Sequence, residues 1–314
     1  MGDMMEKKRA PRNRTLTLSG DERERYSSRL LSPAGRPLGL EEIIDRTING
    51  ELADALPLFP RAFADLIVID PPYNLDKDFH GFSFRASDDD AYYEYVRSWL
   101  PLLLACLKPT GSVYACGDWR SALPLCRAMK ETLVVRNRIT WQREKGRGAK
   151  ANWKNASEDI WFATAGEEYW FDVDAVKVKR RVIAPYRENG VPKDWEETGE
   201  GRFRLTHPGN FWDDVSVPYW SMPENTDHPT QKPEKLIAKL VLASCPPGGV
   251  VLDPFLGSGT TSVVAKKLGR RYVGVERNAE YCAWAEKRLE RAGEDPAIQG
   301  YEDGVFWERN ARRR

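Results

Sequence analysis

The chain has 314 residues, 41% hydrophobic and 30% charged, with 48 basic side chains nearly balanced by 47 acidic ones. That length supports one large or two ordinary domains, and the balance excludes disordered and fibrous classes, so a polyanionic partner must be met by local basic patches. The longest nearly apolar stretch, Trp99 to Leu107, is well below the roughly 18 to 20 residues a membrane helix needs, and Met1 leads into charged sequence, so a cytoplasmic protein without membrane contact is expected.

Residues 1–35 are polar and basic, and read as a flexible N-terminal arm with one short helical piece around Asp21 to Leu31. Beyond them, short apolar runs alternate with amphipathic stretches. Strands are expected over Asp65 to Ile69, Ser112 to Ala115, Val134 to Trp141, Asp159 to Ala163, Val250 to Asp253 and Tyr272 to Val275. Helices are expected over Asp88 to Leu107, Trp119 to Lys130, Pro233 to Ser244, Thr260 to Leu268 and Ala279 to Arg291. This alternation predicts an α/β fold, a mostly parallel sheet covered by helices on both faces. Between Asp172 and Asn225 the pattern breaks, which marks an insertion for recognition rather than part of the sheet. Five cysteines (Cys106, Cys116, Cys126, Cys245, Cys282) lack C-x-x-C spacing, and the three histidines are scattered, so reduced thiols and no metal site are expected.

The segment Ala64 to Asn74 reads A-D-L-I-V-I-D-P-P-Y-N. Ligands of open α/β sheets bind beyond the carboxyl ends of strands, where Asp70 to Tyr73 would stand. Two prolines remove backbone donors and fix φ, leaving the Asp70 carboxylate and the Pro71 carbonyl as stiff acceptors beside a ring. Acceptors plus a stacking face suit a planar ligand with an amino group; the plainer reading is a strand ended by an Asx-type turn.

A second strand tip, Val250 to Thr261, reads V-V-L-D-P-F-L-G-S-G-T-T. Gly257 and Gly259 would let a ligand approach the backbone, and Thr260 and Thr261 would cap the next helix. Glu276, nineteen residues past Gly257, stands where an acid binds ribose hydroxyls in dinucleotide sites, which points to an adenosine-type pocket. No Lys follows the glycine loop, as a P-loop would need, and Ser262 replaces the third glycine of the dinucleotide fingerprint. A tight turn with Glu276 merely solvated is the plainer alternative.

Asp70-Pro71-Pro72-Tyr73, the loop Asp253 to Thr261, and His228-Pro229-Thr230-Gln231-Lys232-Pro233 together resemble the S-adenosylmethionine-dependent amino-group DNA methyltransferases of the β class, in which the catalytic motif precedes the cofactor motif. The resemblance runs from about Ile48 to Leu289 and takes in Ile139 to Asp172, with S-E-D-I-W-F-A; the basic arm and Tyr301 to Arg314 fall outside it. It implies a Rossmann-like, seven-stranded, mostly parallel sheet of the class I methyltransferase type with an inserted target-recognition region. The implied organisation is an arm (1–35), a catalytic half (36–171), the recognition insertion (172–225), a cofactor half (226–295) and a C-terminal tail (296–314).

The resemblance further implies that Asp70, Pro71, Pro72 and Tyr73 are catalytic. It places S-adenosyl-L-methionine against Asp253 (at the methionine amino group), Phe255, Gly257, Ser258, Gly259, Thr260 and Glu276 (on the ribose), with Thr230, Gln231 and Lys232 near the methionine carboxylate. D-P-P-Y favours N6 of adenine as the methyl acceptor; N4 of cytosine is the close alternative, and an RNA or protein substrate or a non-catalytic binding module are more distant ones. The amino nitrogen's lone pair is delocalised into the ring, so the site must accept its protons as hydrogen bonds while the base is flipped out of the duplex. Cys245, at a helix end, reads as structural rather than nucleophilic.

Double-stranded DNA is the expected partner, and the charge pattern supplies patches for it. Arg136 to Lys154 carries a net charge of +6 interleaved with Trp141 and Trp153, and residues 177–187 hold five basic side chains and no acid. Arg143, Lys145, Arg147, Lys150 and Lys154, on a loop jointed by Gly146 and Gly148, and Lys179, Arg180 and Arg181 are the candidate contacts. The family admits a cognate restriction endonuclease and a homodimer as further partners; no assembly signature in the sequence bears on either.

Overall fold

A computed structural model describes residues 10–33, 35–78, 83–143, 151–183, 185–199 and 201–308. Its centre is an eight-stranded sheet in the order Arg46–Asn49, Arg271–Glu276, Val250–Asp253, Ala64–Ile69, Leu107–Gly117, Ser157–Thr164, Val134–Gln142 and Phe211–Trp212. Neighbours are parallel except around Ser157–Thr164, which runs antiparallel to the strands on both sides. The two-residue side-chain period of a strand divides the core into two layers. From Ala64–Ile69, Ile67 and Ile69 point into one layer with Tyr92, Val96, Leu125 and Met129. Leu66 and Val68 point into the other, with Leu236, Leu240, Val263 and Leu289. Helices Asp89–Leu104 and Ala122–Met129 therefore cover one face, and Glu234–Ser244, Thr260–Lys267 and Ala279–Glu294 the other. No helix among the described residues is long and apolar enough to cross a membrane.

All six expected strands and five expected helices form, with ends shifted by a few residues. Two strands of the central sheet were not expected. Arg46–Asn49 has only Thr47 and Ile48 buried, and it is a strand because Arg271–Glu276 pairs with it. Phe211–Trp212 comes from within the 172–225 insertion and pairs with Thr140 and Trp141, so the sheet has eight strands rather than seven and the insertion is partly in it. Its anchor is local: Thr140 N–H donates to the Asn210 carbonyl and the buried Trp212 indole to the Gly209 carbonyl.

The rest of the insertion builds a second sheet in the order Glu196–Thr198, Gly201–Thr206, Val178–Arg181, Val305–Trp307 and Tyr301–Glu302. The C-terminal segment is thus not a separate tail; Val305–Trp307 lies parallel beside Val178–Arg181 with Phe306 fully buried. Two buried lysines of helix Glu234–Ser244 hold this junction. Lys235 donates to the Asp214 and Trp307 carbonyls, and Lys239 Nζ lies 2.7 Å from the Asp214 carboxylate. The described part of the N-terminal segment is likewise packed rather than a flexible arm. Its helix Gly20–Ser27 starts at a Ser19–Glu22 capping box, Arg25 and Arg29 pair with Glu290, and Leu16 packs on Tyr281 and Trp284.

Candidate active site

A cavity of about 550 Å³ opens at the carboxyl ends of the central strands, and both strand-tip motifs line it. At one end stands Asp70-Pro71-Pro72-Tyr73, stiffened from behind. The Tyr92 hydroxyl donates to the Pro72 carbonyl at 2.9 Å, and buried Asn74 exchanges hydrogen bonds with Ser87 and Ser121. Both Asp70 carboxylate oxygens lie 2.6 Å from Lys232 Nζ. The Tyr73 hydroxyl is 3.0 Å from Asp70 Oδ1, 3.1 Å from Glu158 Oε2 and 3.1 Å from Lys232 Nζ. Burial and the charges of Asp70 and Glu158 push the Tyr73 phenol well above its usual value. For Lys232, burial works against the charged form, yet Asp70 and Glu158 outweigh it and raise the ammonium above its ordinary value.

At the other end, buried Asp253 accepts from Phe255 N–H at 3.0 Å, and burial raises its carboxyl to about 7. Glu276 accepts from Gly257 N–H and Asn278 N–H, each at 2.8 Å, and desolvation raises it despite both bonds. These bonds leave lone pairs on each carboxyl for a ligand, since a carboxylate accepts at about four positions. Phe255 and Ser258 complete this wall, with the Phe255 ring edge-on to Trp99 at 5.1 Å.

Several expected roles are corrected by the geometry. Gly257 (φ +55°) lines the cavity, and the close neighbour of its Cα is the His228 ring, which a Cβ would meet at 3.0 Å. Gly259 (φ +87°) does not line the cavity; a Cβ there would lie 2.5 Å from Ala285 Cβ, so this glycine lets two helices pack rather than a ligand approach. Thr260 does not cap the following helix, whose N-cap is Gly259 without a side-chain bond. Its hydroxyl donates to the Lys232 carbonyl at 3.1 Å and accepts from buried Arg288.

Thr230, Gln231 and Lys232 all line the cavity, but they do not act as one group. The Gln231 side chain is engaged by protein, accepting from the Thr226 backbone and hydroxyl and donating to the Glu224 carbonyl. Thr230 N–H reaches His228 Nδ1 at 3.3 Å. Lys232 sits at the Asp70 end, where the two motifs meet.

The basic candidates also separate. Arg143 turns into the cavity wall and pairs with Glu158, and Arg180 pairs with Glu308 at 3.1 Å. Lys179 lies over the rings of Trp307 and Phe203, at 4.4 and 5.1 Å, while Lys154 and Arg181 are exposed. Lys145, Arg147 and Lys150 lie outside the described residues, as do Gly146 and Gly148.

Sequence reasoning passed over Glu158, which is 3% exposed and pairs with Arg143, Lys232 and the Tyr73 hydroxyl. Its signal was present. In S-E-D-I-W-F the two-residue period puts Glu158 on the face of Ile160 and Phe162, and an acid on an inward face needs buried partners. Lys77, His228 and Tyr281 line the cavity as well, and the latter two rings meet edge to face at 4.4 Å.

A Rossmann-like sheet with an acceptor motif and an adenosine-type loop opening into one cavity defines a group-transfer enzyme with two facing subsites. A family model described as DNA methylase matches residues 64–287. "DNA adenine methyltransferase YhdJ" of Escherichia coli (strain K12) is 33% identical over 252 residues, covering 78% of this chain and 82% of that protein. "Type II methyltransferase M.HpaI" of Haemophilus parainfluenzae is 32% identical over 248 residues, covering 78% and 74%. The PvuII cytosine-N4-specific DNA methyltransferase shares the fold, with a TM-score of 0.56 at 17% identity over 79% of this chain and 90% of that one. The DNA modification methylase TTHA0409 of Thermus thermophilus, solved in complex with S-adenosyl-L-methionine, does so with a TM-score of 0.52 at 22% identity over 85% and 99%. The chain belongs to the DNA methylase family.

Proposed function

We propose that this protein transfers a methyl group from S-adenosyl-L-methionine to the exocyclic N6 of an adenine flipped out of double-stranded DNA. The observation that carries the reading is the meeting of Asp70 to Tyr73 with Asp253 and Glu276 in one cavity. The choice of adenine is supported by the relative named an adenine methyltransferase and by D-P-P-Y itself. The relative named a type II methyltransferase supports a place beside a cognate restriction endonuclease, in the cytoplasm.

The residues at the Asp253 end fit the cofactor. Two carboxyls with acceptor capacity in a desolvated wall suit a ligand that presents an ammonium, a sulfonium and ribose hydroxyls. Asp253 would hold the amino group and Glu276 the ribose, with Phe255, Gly257 and Ser258 along the adenosine. When bound, S-adenosyl-L-methionine supplies an electrophilic methyl group.

At the other end Asp70 and the Pro71 carbonyl accept the two hydrogens of the target amino group, localising the nitrogen lone pair and aiming it across the cavity. The ring of Tyr73 offers a stacking face for the base, which helps offset the few kcal/mol that flipping costs. As nitrogen gains positive charge, the Asp70 carboxylate stabilises it electrostatically. Residues 172–225, joined by the C-terminal strands, supply target recognition, with Lys154, Lys179 and Arg181 as phosphate contacts.

Incubation with S-adenosyl-L-methionine and unmethylated DNA of diverse sequence, followed by nucleoside mass spectrometry, tests the reading. N6-methyladenine is the expected product; N4-methylcytosine would move the assignment to the cytosine branch.

A further inference from the structure

The methyl-transfer reading employs Asp70, Pro71 and Tyr73 and leaves one charge behind them without a task. Glu158 comes from Ser157–Thr164, the strand that runs against its neighbours, and it does not itself line the cavity. Its carboxylate receives donors from three separate segments: the Tyr73 hydroxyl at 3.1 Å, Lys232 Nζ at 3.5 Å and the Arg143 guanidinium. All three of those residues line the cavity. A buried acid that served packing alone would need one cation, and Arg143 supplies it; Tyr73 and Lys232 tie this acid to the acceptor motif instead.

The arrangement also bears on a conflict at Asp70. Lys232 Nζ is 2.6 Å from both Asp70 oxygens, and these are the atoms that must accept the target amino group. An ammonium drawn from Asp70 in so buried a place would be left unpaired at a cost of several kcal/mol unless a second anion stood close by. Glu158 is that anion. A shift of less than about 1 Å would turn its 3.5 Å contact with Lys232 into a full hydrogen bond.

We propose that Glu158 is a positioning residue for methyl transfer: from behind the acceptor motif it holds the Tyr73 hydroxyl and acts as second counter-ion to Lys232, freeing lone pairs of Asp70 for the incoming amino group. This role rests on the methyl-transfer reading above. It predicts a defect in turnover rather than in cofactor capture, since the Asp253 and Glu276 walls make none of these contacts.

The test compares full-length wild type, Glu158→Gln, Tyr73→Phe and the double variant for kcat and KM on duplex DNA, for calorimetric binding of S-adenosyl-L-methionine, and for melting temperature. Glu158→Gln is expected to lower kcat about 30- to 100-fold while the cofactor Kd changes less than about threefold. Because Glu158 acts partly through the Tyr73 hydroxyl, the double variant should fall well short of the product of the two single losses. Losses that simply multiply, a kcat within about twofold of wild type, or a fall in cofactor binding and melting temperature that tracks the fall in kcat would each overturn the role. Wild-type methylation with an unaffected Glu158→Gln variant overturns Glu158 alone, whereas a wild type that binds cofactor and methylates no DNA overturns the methyl-transfer reading and this role with it.

Discussion

The two ends of the cavity begin from nearly the same sequence, Asp70-Pro71-Pro72-Tyr73 and Asp253-Pro254-Phe255, each a strand-tip acid followed by proline and an aromatic. They become chemically different through what the fold brings beside them. Asp70 meets the Lys232 ammonium at 2.6 Å, with Tyr73 and Glu158 closing a mutually satisfied set. Asp253 has the Phe255 amide and the Thr261 hydroxyl, the nearby charges of Asp70 and Glu276 are negative, and its carboxyl rises to about 7. A local motif thus supplies an acid at a sheet edge, and long-range contacts decide whether it is a held anion aimed at a neutral base or a poised carboxyl that a cationic ligand would ionise.

The contrast can be broken most sharply at Asp70. Asp70→Ala should lower kcat by about 10³-fold or more, because the charge that localises the nitrogen lone pair is lost. Cofactor binding by calorimetry should be nearly unchanged, since Asp70 belongs to the other end. Glu276→Gln should show the reverse. The amide cannot accept from both Gly257 and Asn278, so cofactor Kd should rise about 10- to 100-fold. Turnover at saturating cofactor should fall much less.

A pH titration sharpens the comparison further. The Asp253 carboxyl is raised from the ordinary 3.8 to about 7 in the free protein. A cationic ligand favours its ionised form, so cofactor affinity should weaken by up to about tenfold per pH unit below 7, with proton release on binding. For folding the sign is opposite. A carboxyl raised in the folded state contributes stability that is full below its unfolded pKa and is lost as pH rises through 7. Melting curves should therefore show a larger cofactor-induced gain at pH 8 than at pH 6. The smallest effect is expected on the second sheet: Lys179→Ala with Arg181→Ala should reduce the salt slope of DNA binding by up to about 2 and weaken affinity at low salt, with kcat unchanged. Arg180→Ala should do less, since Glu308 already occupies that guanidinium.

The sheet and both strand tips were legible because buried strands are apolar runs and their helices carry a long-period pattern. Arg46–Asn49 and Phe211–Trp212 were not, since neighbouring strands rather than their own apolar content make them strands. The C-terminal strands were unplaced for the same reason: Val305–Trp307 is defined by Val178–Arg181, more than a hundred residues away. Within the site, residue types foretold acceptors at Asp70 and carboxyls at Asp253 and Glu276. They did not foretell that Lys232 reaches across 162 positions to Asp70, or that Gln231 is engaged by Thr226 and Glu224. Pairings of that kind belong to tertiary structure. Glu158 lies between these cases, visible as an acid on an inward strand face but without a partner until the fold supplies three.

The most direct test of the central claim, that one cavity joins an Asp70 acceptor site to an Asp253 cofactor site, pairs nucleoside mass spectrometry of treated DNA with calorimetric cofactor binding, on wild type and Asp70→Ala. The account predicts N6-methyladenine from the wild type and none from the variant, with cofactor affinity preserved in both. Methylation that survives in Asp70→Ala, or cofactor binding that vanishes with it, would contradict the division of labour between the two ends.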